Sequence, residues 1–285
     1  MKNTFSYSTD ALKRMPPRPE DSNKGSFGRV LCVCGSYGMA GAAFLAAKAA
    51  LRTGAGLCEI LTPSENVSVL QTLIPEAIVT VYDRECPSQD IIDEAVFRAT
   101  AIVCGCGLGV STASRAVVSR VLRQSRVSTV IDADGLNIIS RNPSLLKYAK
   151  EKIITPHPAE MSRLTGIEKE VITSAPLDVC REFAKKHQLV CVLKGHNTAV
   201  SDGGEKIYVN NTGNSGMATA GSGDVLAGII GGIMAQNSNK KLSMLEVASL
   251  GVYIHGMAGD IAAEKMGKYS LIASDIIEAL PLVLR

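Results

Sequence analysis

A glycine-rich run that ends in a carboxylate is the segment of this sequence best suited to chemistry. It spans residues 211–224, reads NTGNSGMATAGSGD, and continues directly into an apolar stretch with a helical pattern. Glycines just before a helix let consecutive backbone N–H groups converge, and the helix N-terminus adds partial positive charge, so the run predicts an anion site. We expect Asp224 at the N-cap of that helix, where its carboxylate can act as a base beside the anion.

A purely structural role is the simplest alternative for Asp224. Asp is among the residues favoured at helix N-caps, and a cap needs no ligand. A cap alone, however, does not require Gly213, Gly216, Gly221 and Gly223. Close approach of the backbone to a phosphate does require such residues, because a side chain would hold the phosphate away. The glycines therefore favour an anion cradle.

Other polar residues follow short apolar runs. Lys194 ends the run VCVLK, which places it at the carboxyl edge of a parallel sheet, where ligands usually bind. His157 lies between two prolines in TPHPAE, and Glu160 begins the helix that follows, where an acidic residue is also a common cap. Asp132 and Asp134 follow a further strand and either face a ligand or shape a turn.

Apolar runs that alternate with helix-length segments predict the elements that position these residues. The expected strands are Val30–Cys34, Leu57–Leu61, Ala77–Val81, Ala101–Cys104, Ser128–Ile131, Lys152–Ile154 and Val190–Leu193. Continuous apolar runs are typical of buried parallel strands, so the fold class is α/β, a layered α/β/α sandwich with a mostly parallel central sheet.

Three further features complete the predicted organisation. Ala40–Arg52 is an alanine-rich helix, and Thr198–Ser201 pairs with Lys206–Val209 as a hairpin before the glycine-rich run and three helices. No repeat or linker divides the sequence. We therefore expect a single domain over residues 1–285, of which 1–24 form an N-terminal extension.

Composition excludes several classes of protein. The 285 residues are 46% hydrophobic, which is too apolar for a disordered chain, and a dispersed net charge of +3 with few aromatic residues argues against a nucleic-acid partner. The N-terminus lacks the apolar core of a secretory signal, and the longest apolar stretch, Val225–Ala235, is shorter than the roughly 20 residues that span a bilayer. We expect a cytoplasmic protein with no membrane partner.

The eight cysteines lie mostly inside apolar runs, where Cys behaves as a small hydrophobe. The pairs Cys32/Cys34 and Cys104/Cys106 lack the C-x-x-C spacing and the neighbouring His of a thiolate metal site. Reduced, buried thiols are expected.

Several motifs together carry a family resemblance. AGSGD followed by LAG resembles the anion-hole and catalytic-Asp signature of ribokinase-like proteins, and TPHPAEMSRLTG, IDADGLN, KGHNT, GS at 35–36 and GAA at 41–43 resemble the ADP/ATP-dependent NAD(P)H-hydrate dehydratase family. The similarity extends over nearly the whole chain beyond about Gly25, with the motifs in family order. Two small-residue changes depart from it, Ala159 where the family has Gly in HPGE and Cys106 where it has Pro in GPGLG.

The resemblance implies a repair reaction. ADP or ATP phosphorylates the hydroxyl of the S-form of hydrated NADH or NADPH, and loss of phosphate regenerates the reduced cofactor, with Asp224 as the base and Mg²⁺ as cofactor. The implied nucleotide-binding residues are Lys194, Gly195, His196, Asn197, Thr198, Gly221, Ser222 and Gly223, the last three holding the transferred phosphoryl group. The implied residues for the hydrated dinucleotide are Ala42, Gly107, Gly109, His157 and Asp224, and Glu160 is placed at the phosphates or their Mg²⁺.

The resemblance also bears on assembly and partners. It favours a homo-oligomer, namely a tetramer, and small molecules as the binding partners. Because only about 25 residues precede the first predicted strand, we expect the companion epimerase activity to reside on another chain.

Three competing functions remain open from the sequence. A Rossmann dehydrogenase matches poorly, because the run Gly35–Gly41 has GxxGxxG spacing and the only acid for a ribose is Glu59, in mid-strand. A kinase of the same fold acting on a vitamin alcohol shares GSGD, but it need not carry both TPHPAE and KGHNT. A non-catalytic nucleotide sensor would have no use for Asp224.

Overall fold

The computed structural model describes residues 3–237 and 241–285, and within them ten strands form one sheet. The strands are β1 (Asn3–Phe5), β2 (Arg29–Val33), β3 (Leu57–Pro63), β4 (Ile78–Tyr82), β5 (Ala101–Cys104), β6 (Ser128–Ile131), β7 (Lys152–Ile154), β8 (Val190–Leu193), β9 (Ala199–Ser201) and β10 (Lys206–Val209). Their spatial order is β1-β10-β9-β8-β7-β6-β5-β2-β3-β4. Within the part β8-β7-β6-β5-β2-β3-β4, every pair of adjacent strands is parallel. Strand β9 is antiparallel to both of its neighbours, β8 and β10.

Helices connect the parallel strands, and three more follow the last strand. They are α1 (Ala40–Arg52), α2 (Val67–Leu73), α3 (Gln89–Arg98), α4 (Thr112–Gln124), α5 (Ala133–Arg141), α6 (Pro158–Thr165), α7 (Lys169–Ser174), α8 (Pro176–His187), α9 (Ser222–Gln236), α10 (Met244–Met266) and α11 (Ala273–Val283). Short 3₁₀ turns occupy Thr9–Arg14, Lys24–Phe27, Ser64–Asn66, Pro143–Lys147 and Ser215–Met217. Within the described ranges, no helix is both long and apolar enough to cross a bilayer.

Two apolar cores lie on opposite faces of the sheet. In β2, Val30 and Cys32 face a core shared with α1, α9, α10 and α11, whereas Leu31 and Val33 face a core shared with α3, α4, α5 and α8. Side chains alternate between faces along a strand, so a strand covered on both sides must be apolar throughout. The predicted α/β/α layers and the mostly parallel sheet are confirmed, with strand ends that differ by at most two residues.

The N-terminal segment adds a strand that sequence patterning did not predict. Asn3–Phe5 pairs in parallel with Lys206–Tyr208 and forms one edge of the sheet. Three residues without an alternating pattern give no strand signal, and the contact partner lies two hundred positions away. Part of the predicted N-terminal extension therefore belongs to the sheet.

Small residues let α9 lie close against α1. A Cβ atom at Gly228 would lie 2.2 Å from the Ala46 backbone oxygen, and one at Gly232 would lie 2.7 Å from the Ala50 oxygen. Ala46 and Ala50 are fully buried in this contact. This backbone-to-backbone approach holds α9 against α1, and the first turn of α9 carries Asp224, the terminal carboxylate of the glycine-rich run.

Gly228→Ala should lower the free energy of unfolding by about 1–3 kcal/mol, because the added methyl group meets a backbone oxygen that has no room to move. Gly41→Ala is the matched control, since a Cβ atom at that position in α1 meets nothing within 4 Å. Denaturant unfolding followed by circular dichroism measures both. Equal stability of Gly228→Ala and the unmodified chain would contradict this close packing.

Candidate active site

The carboxyl ends of the central parallel strands and the first turn of α9 meet at one edge of the sheet. Asp132 directly follows β6, and Lys194 directly follows β8. A Cβ atom at Gly223, in α9, would lie 3.3 Å from Lys194 Nζ and 3.6 Å from Asp132 Oδ2. The glycine-rich run and the polar strand ends, which are far apart in sequence, therefore form one site.

A buried ion pair lies at the centre of this site. Lys194 Nζ is 2.8 Å from Asp132 Oδ1 and 3.8 Å from Glu160 Oε2, and the side chain of Asp132 is only 1% exposed. Burial by itself would lower the pKa of Lys194, but the charges of Asp132 and Glu160 outweigh it and raise that pKa above its ordinary value. Lys194 is therefore a fixed cation.

Asp224 lies beside this ion pair, in the first turn of α9. Burial, and next the negative charge of Asp132, raise its pKa to about 7, although Lys194 and a hydrogen bond from Cys106 oppose the shift. The carboxyl group is consequently poised between its two protonation states at neutral pH, which is the condition that suits a general base.

The predicted N-cap position of Asp224 is wrong. The helix begins at Ser222, its N-cap is Gly221, and Asp224 is the third residue of the first turn. Gly221 has a φ of 87°, a left-handed conformation that glycine adopts readily, and this turns the chain into the helix earlier than the sequence pattern indicates. No side-chain cap bond is present at this helix start, so the capping role proposed as an alternative does not account for Asp224.

Three potential metal ligands converge here. Cys106 Sγ and carboxylate oxygens of Asp132 and Asp224 lie within 4.8 Å of one another, the one such group among the described residues. Two carboxylates suit Mg²⁺, which commonly takes one or two carboxylates together with substrate phosphates, whereas a thiol does not. The residues fit a Mg²⁺ ion held by Asp132 and Asp224, and Glu160 stands outside this group.

His157 and Glu160 form reciprocal hydrogen bonds at the start of α6. His157 Nδ1 accepts hydrogen bonds from the backbone N–H groups of Ala159 and Glu160, at 3.1 and 3.3 Å, and Glu160 Oε2 accepts one from His157 N at 2.8 Å. This is a capping box with His157 as the N-cap, so Glu160 lies inside the helix instead of beginning it. Burial and then the charge of Lys194 lower the pKa of His157, so its imidazole is neutral at pH 7.

The segment after Lys194 is an open loop at the same edge. Gly195, His196 and Asn197 are exposed, and Thr198 is half-buried. Thr198 Oγ1 lies 3.3 Å from Gly195 N and 3.2 Å from Gly195 O, which closes the loop on itself. A Cβ atom at Gly195 would meet nothing within 4 Å. The loop thus leaves space next to the Lys194 cation.

Ala42, near the start of α1, lies against the loop after β5 that carries Gly107 and Gly109. A Cβ atom at Gly107 would lie 2.6 Å from the Ala42 Cβ, and Ser36 Oγ donates to Gly107 O at 2.8 Å. Gly109 N donates to Asp134 Oδ2 at 2.7 Å. Asp134 therefore holds this loop, which is the structural role left open for it by the sequence.

Glu59 has a structural role. Its carboxylate is fully buried, accepts hydrogen bonds from Arg98 at 2.6 Å and Thr80 at 2.7 Å, and forms an ion pair with Arg29 at 3.0 Å. These bonds leave no acid at Glu59 for a ribose hydroxyl, which removes the main support for a Rossmann dehydrogenase.

The cysteines follow the expectation of buried, reduced thiols. Seven are buried, Cys86 is exposed, and all eight are free.

Two polar residues of α10 that contact the glycine-rich run did not stand out in the sequence. Asp260 Oδ2 accepts from Gly213 N at 2.8 Å, and His255 Nε2 lies 3.3 Å from Ser222 Oγ. The sequence offers no constellation around His255 and indicates a helix-packing residue, to which the structure adds this contact with Ser222 Oγ. The available signal was a histidine and an aspartate in GVYIHGMAGD, an otherwise apolar helix in which polar side chains need partners.

Comparisons with known proteins identify the family of this chain. The family model described as NAD(P)H-hydrate dehydratase matches residues 30–282. The chain is 40% identical over 266 residues to the bifunctional NAD(P)H-hydrate repair enzyme Nnr of Coxiella burnetii, covering 93% of this chain and 52% of that protein. It is 38% identical over 271 residues to the ADP-dependent (S)-NAD(P)H-hydrate dehydratase of Neisseria meningitidis, covering 92% and 86%. The chain thus spans about half the length of the first curated relatives it matches.

Solved structures confirm the ribokinase-like fold. A ribokinase-like superfamily protein from Enterococcus faecalis has a TM-score of 0.88 and 32% identity, covering 99% of this chain and 95% of that one. The ADP/ATP-dependent NAD(P)H-hydrate dehydratase from Bacillus subtilis, co-crystallised with ATP/Mg²⁺, has a TM-score of 0.83 and 28% identity, covering 97% and 96%.

Asp224→Asn should stabilise the protein in a pH-dependent manner. A carboxyl group whose pKa is raised on folding does not lower the free energy of unfolding below its unfolded-state pKa of about 3.9. Above its folded-state pKa, it lowers the free energy of unfolding by the full amount. The folded-state value is about 7, so stability is lost as the pH rises between these limits. The substitution removes this loss and should raise the free energy of unfolding at pH 8 by on the order of 1–4 kcal/mol, with little effect at pH 4.

Denaturant unfolding at the two pH values measures the difference. Asp21→Asn, at an exposed position, serves as the control and should behave alike at both. An equal effect of Asp224→Asn at pH 4 and pH 8 would show that the carboxyl group is not perturbed.

Proposed function

The chain belongs to the NAD(P)H-hydrate dehydratase family, and we propose that it regenerates NADH and NADPH from the S-forms of their hydrates by using ADP or ATP as phosphoryl donor. The observation that carries this proposal is the position of Asp224, whose pKa of about 7 places a titrating carboxylate directly beside the Lys194 cation and the Gly221–Gly223 segment. A base, a cation and a backbone anion cradle are the parts that phosphoryl transfer to a hydroxyl group requires.

The first step transfers a phosphoryl group to the hydrate. Asp224 accepts the proton of the hydrate's hydroxyl group, the hydroxyl oxygen bonds to the terminal phosphorus, and the bond from that phosphorus to the leaving oxygen of the nucleotide breaks. The backbone N–H groups of Gly221, Ser222 and Gly223 hold the phosphoryl oxygens, supported by the positive end of α9. Lys194 balances the negative charge that gathers there.

The second step removes phosphate from the phosphorylated hydrate. The carbon–oxygen bond breaks, inorganic phosphate departs with the bonding electrons, and loss of a proton from the adjacent ring carbon restores the double bond of the dihydronicotinamide. The nucleotide has then lost one phosphate, and the reduced dinucleotide is restored.

A bound Mg²⁺ would neutralise the phosphate charge during the first step. Asp132 and Asp224 are the side chains of this chain that would hold it, because their oxygens converge. The involvement of Glu160, which the sequence predicts at the phosphates or the metal, remains a proposal. Its carboxylate lies 3.8 Å from Lys194 Nζ and contributes to keeping that cation charged.

The two substrates are proposed to occupy opposite sides of Asp224. The open loop formed by Gly195, His196, Asn197 and Thr198 would bind the nucleotide next to Lys194. The loops that carry Ala42, Gly107 and Gly109 would bind the dinucleotide, together with the neutral imidazole of His157. A homotetramer and a cytoplasmic location stay predictions from the sequence, and the preference for ADP follows the name of the Neisseria relative.

The direct test supplies the protein with (S)-NADH hydrate, Mg²⁺ and either ADP or ATP, and follows the absorbance of regenerated dihydronicotinamide. We expect regeneration with at least one nucleotide and release of one phosphate for each turnover. Accumulation of a phosphorylated alcohol from a vitamin substrate, without regeneration, would instead support a kinase of the same fold. No regeneration with either nucleotide would refute the proposal.

Asp224→Asn separates the base role from a role in binding. We expect a loss of turnover of at least about a hundredfold, because general-base contributions are of this size, while the affinity for the nucleotide measured without Mg²⁺ changes little, since the amide preserves the shape. Calorimetric titration with the nucleotide and the absorbance assay measure the two effects. Asp134→Asn is the matched control, because Asp134 holds a loop by accepting from Gly109 N, and it should affect dinucleotide binding more than the maximal rate.

A further inference from the structure

Helix α10 contacts the glycine-rich run at several points between Thr212 and Ser222, mainly through the segment His255–Asp260. At its C-terminal end, Asp260 accepts hydrogen bonds from Gly213 N at 2.8 Å and from Asn214 Nδ2 at 2.9 Å. Both bonds hold the beginning of the run, which is the part furthest from Asp224 in sequence. The helix therefore fixes where the run starts.

Two glycines inside the same segment let the run lie directly on the helix. A Cβ atom at Gly256 would lie 2.1 Å from Thr212 Oγ1, and a Cβ atom at Gly259 would lie 2.2 Å from Met217 Sδ. Side chains at these positions would push the run outwards. The segment is thus shaped to receive the run along its length.

His255 contacts the other end of the run, inside the proposed phosphoryl cradle. Its Nε2 atom lies 3.3 Å from Ser222 Oγ, and Ser222 is itself only 8% exposed. Burial lowers the pKa of His255 to about 4 and the charge of Lys194 adds to the effect, although a hydrogen bond to the backbone of Ser222 opposes it. The imidazole is therefore neutral at physiological pH, with one nitrogen that donates and one that accepts.

The direction of this hydrogen bond decides what Ser222 presents to an anion. A hydroxyl group has a single proton, so if Ser222 donated to the imidazole, it would turn only lone pairs towards the phosphoryl oxygens. If Nε2 carries the proton, the imidazole donates to Ser222 Oγ, and the Ser222 proton remains free. Only the second arrangement adds a donor to the anion cradle.

We propose that His255 is a positioning residue that donates its Nε2 proton to Ser222 Oγ and so directs the Ser222 hydroxyl proton to an oxygen of the phosphoryl group in transfer. This inference rests on the proposed function of the cradle. His255 does not touch the substrates. It acts through Ser222, and a neutral side chain achieves this without placing a second buried cation beside Lys194.

A double-mutant cycle tests the proposal. The variants are His255→Leu, His255→Gln, Ser222→Ala and the combination of His255→Leu with Ser222→Ala. We expect His255→Leu to lower kcat about tenfold with a small change in KM, because the lost interaction matters most in the transition state. His255→Gln, whose amide N–H can take the place of Nε2–H, should recover most of the rate.

The combined variant distinguishes positioning from packing. If His255 acts through Ser222, adding His255→Leu to Ser222→Ala should lower kcat by less than about twofold. A full tenfold loss in both backgrounds would overturn the proposal, as would failure of a folded His255→Gln variant to recover the rate. If His255→Leu does not fold, His255→Asn replaces it, since the shorter amide does not reach Ser222 Oγ.

Nucleotide binding provides a readout that does not depend on the hydrate. Calorimetric titration of AMP, ADP and ATP should show that His255→Leu reduces the preference for the donor nucleotide over the one with one phosphate fewer, while affinity for the shorter nucleotide is retained. If the unmodified protein fails to regenerate NADH, the proposed function fails, and this titration still decides the role of His255. An unchanged preference in His255→Leu would overturn that role.

Discussion

The site depends on the ion pair between Lys194 and Asp132, because a buried charge persists only when it is paired. The ammonium group lies 2.8 Å from Asp132 Oδ1, and the carboxylates of Glu160 and Asp224 stand nearby. Lys194 thus lies near several carboxyl groups. Asp132 lies closest to Lys194. At Asp224, burial and the negative charge of Asp132 therefore outweigh the attraction of Lys194 and raise the pKa of the Asp224 carboxyl group. The same ion pair therefore fixes a cation for phosphate and prepares a base.

The fold brings these groups together through backbone packing. Parallel strands β6 and β8 end at the same edge and deliver Asp132 and Lys194. Helix α9 packs with Gly228 against the backbone of α1, and Gly223 in its first turn lies close to the ion pair. Local glycine positions and global topology agree, as is typical of foldable sequences.

Much of this architecture could be predicted from the sequence. Buried parallel strands leave continuous apolar runs, and seven strands and the alanine-rich helix were found near their observed positions. The strand Asn3–Phe5 was not predicted, since its pairing with β10 depends on a contact across the whole chain. Helix α9 begins at Ser222, earlier than the sequence predicts, because the left-handed conformation of Gly221 has no distinct sequence pattern. Motifs identified Asp224, Lys194 and His157 as candidates, but the pairing of Lys194 with Asp132 and of His255 with Ser222 depends on tertiary contacts.

The central claim is that burial and Asp132 hold Asp224 at a pKa near neutrality in the free protein. The most direct measurement is a ¹³C NMR titration of protein labelled at the aspartate carboxyl carbons, with the Asp224 signal assigned by its loss in Asp224→Asn. We predict a midpoint at about pH 7, which falls in Asp132→Asn because the neighbouring negative charge is removed. A midpoint near the ordinary value of about 4 in the unmodified protein would contradict the claim.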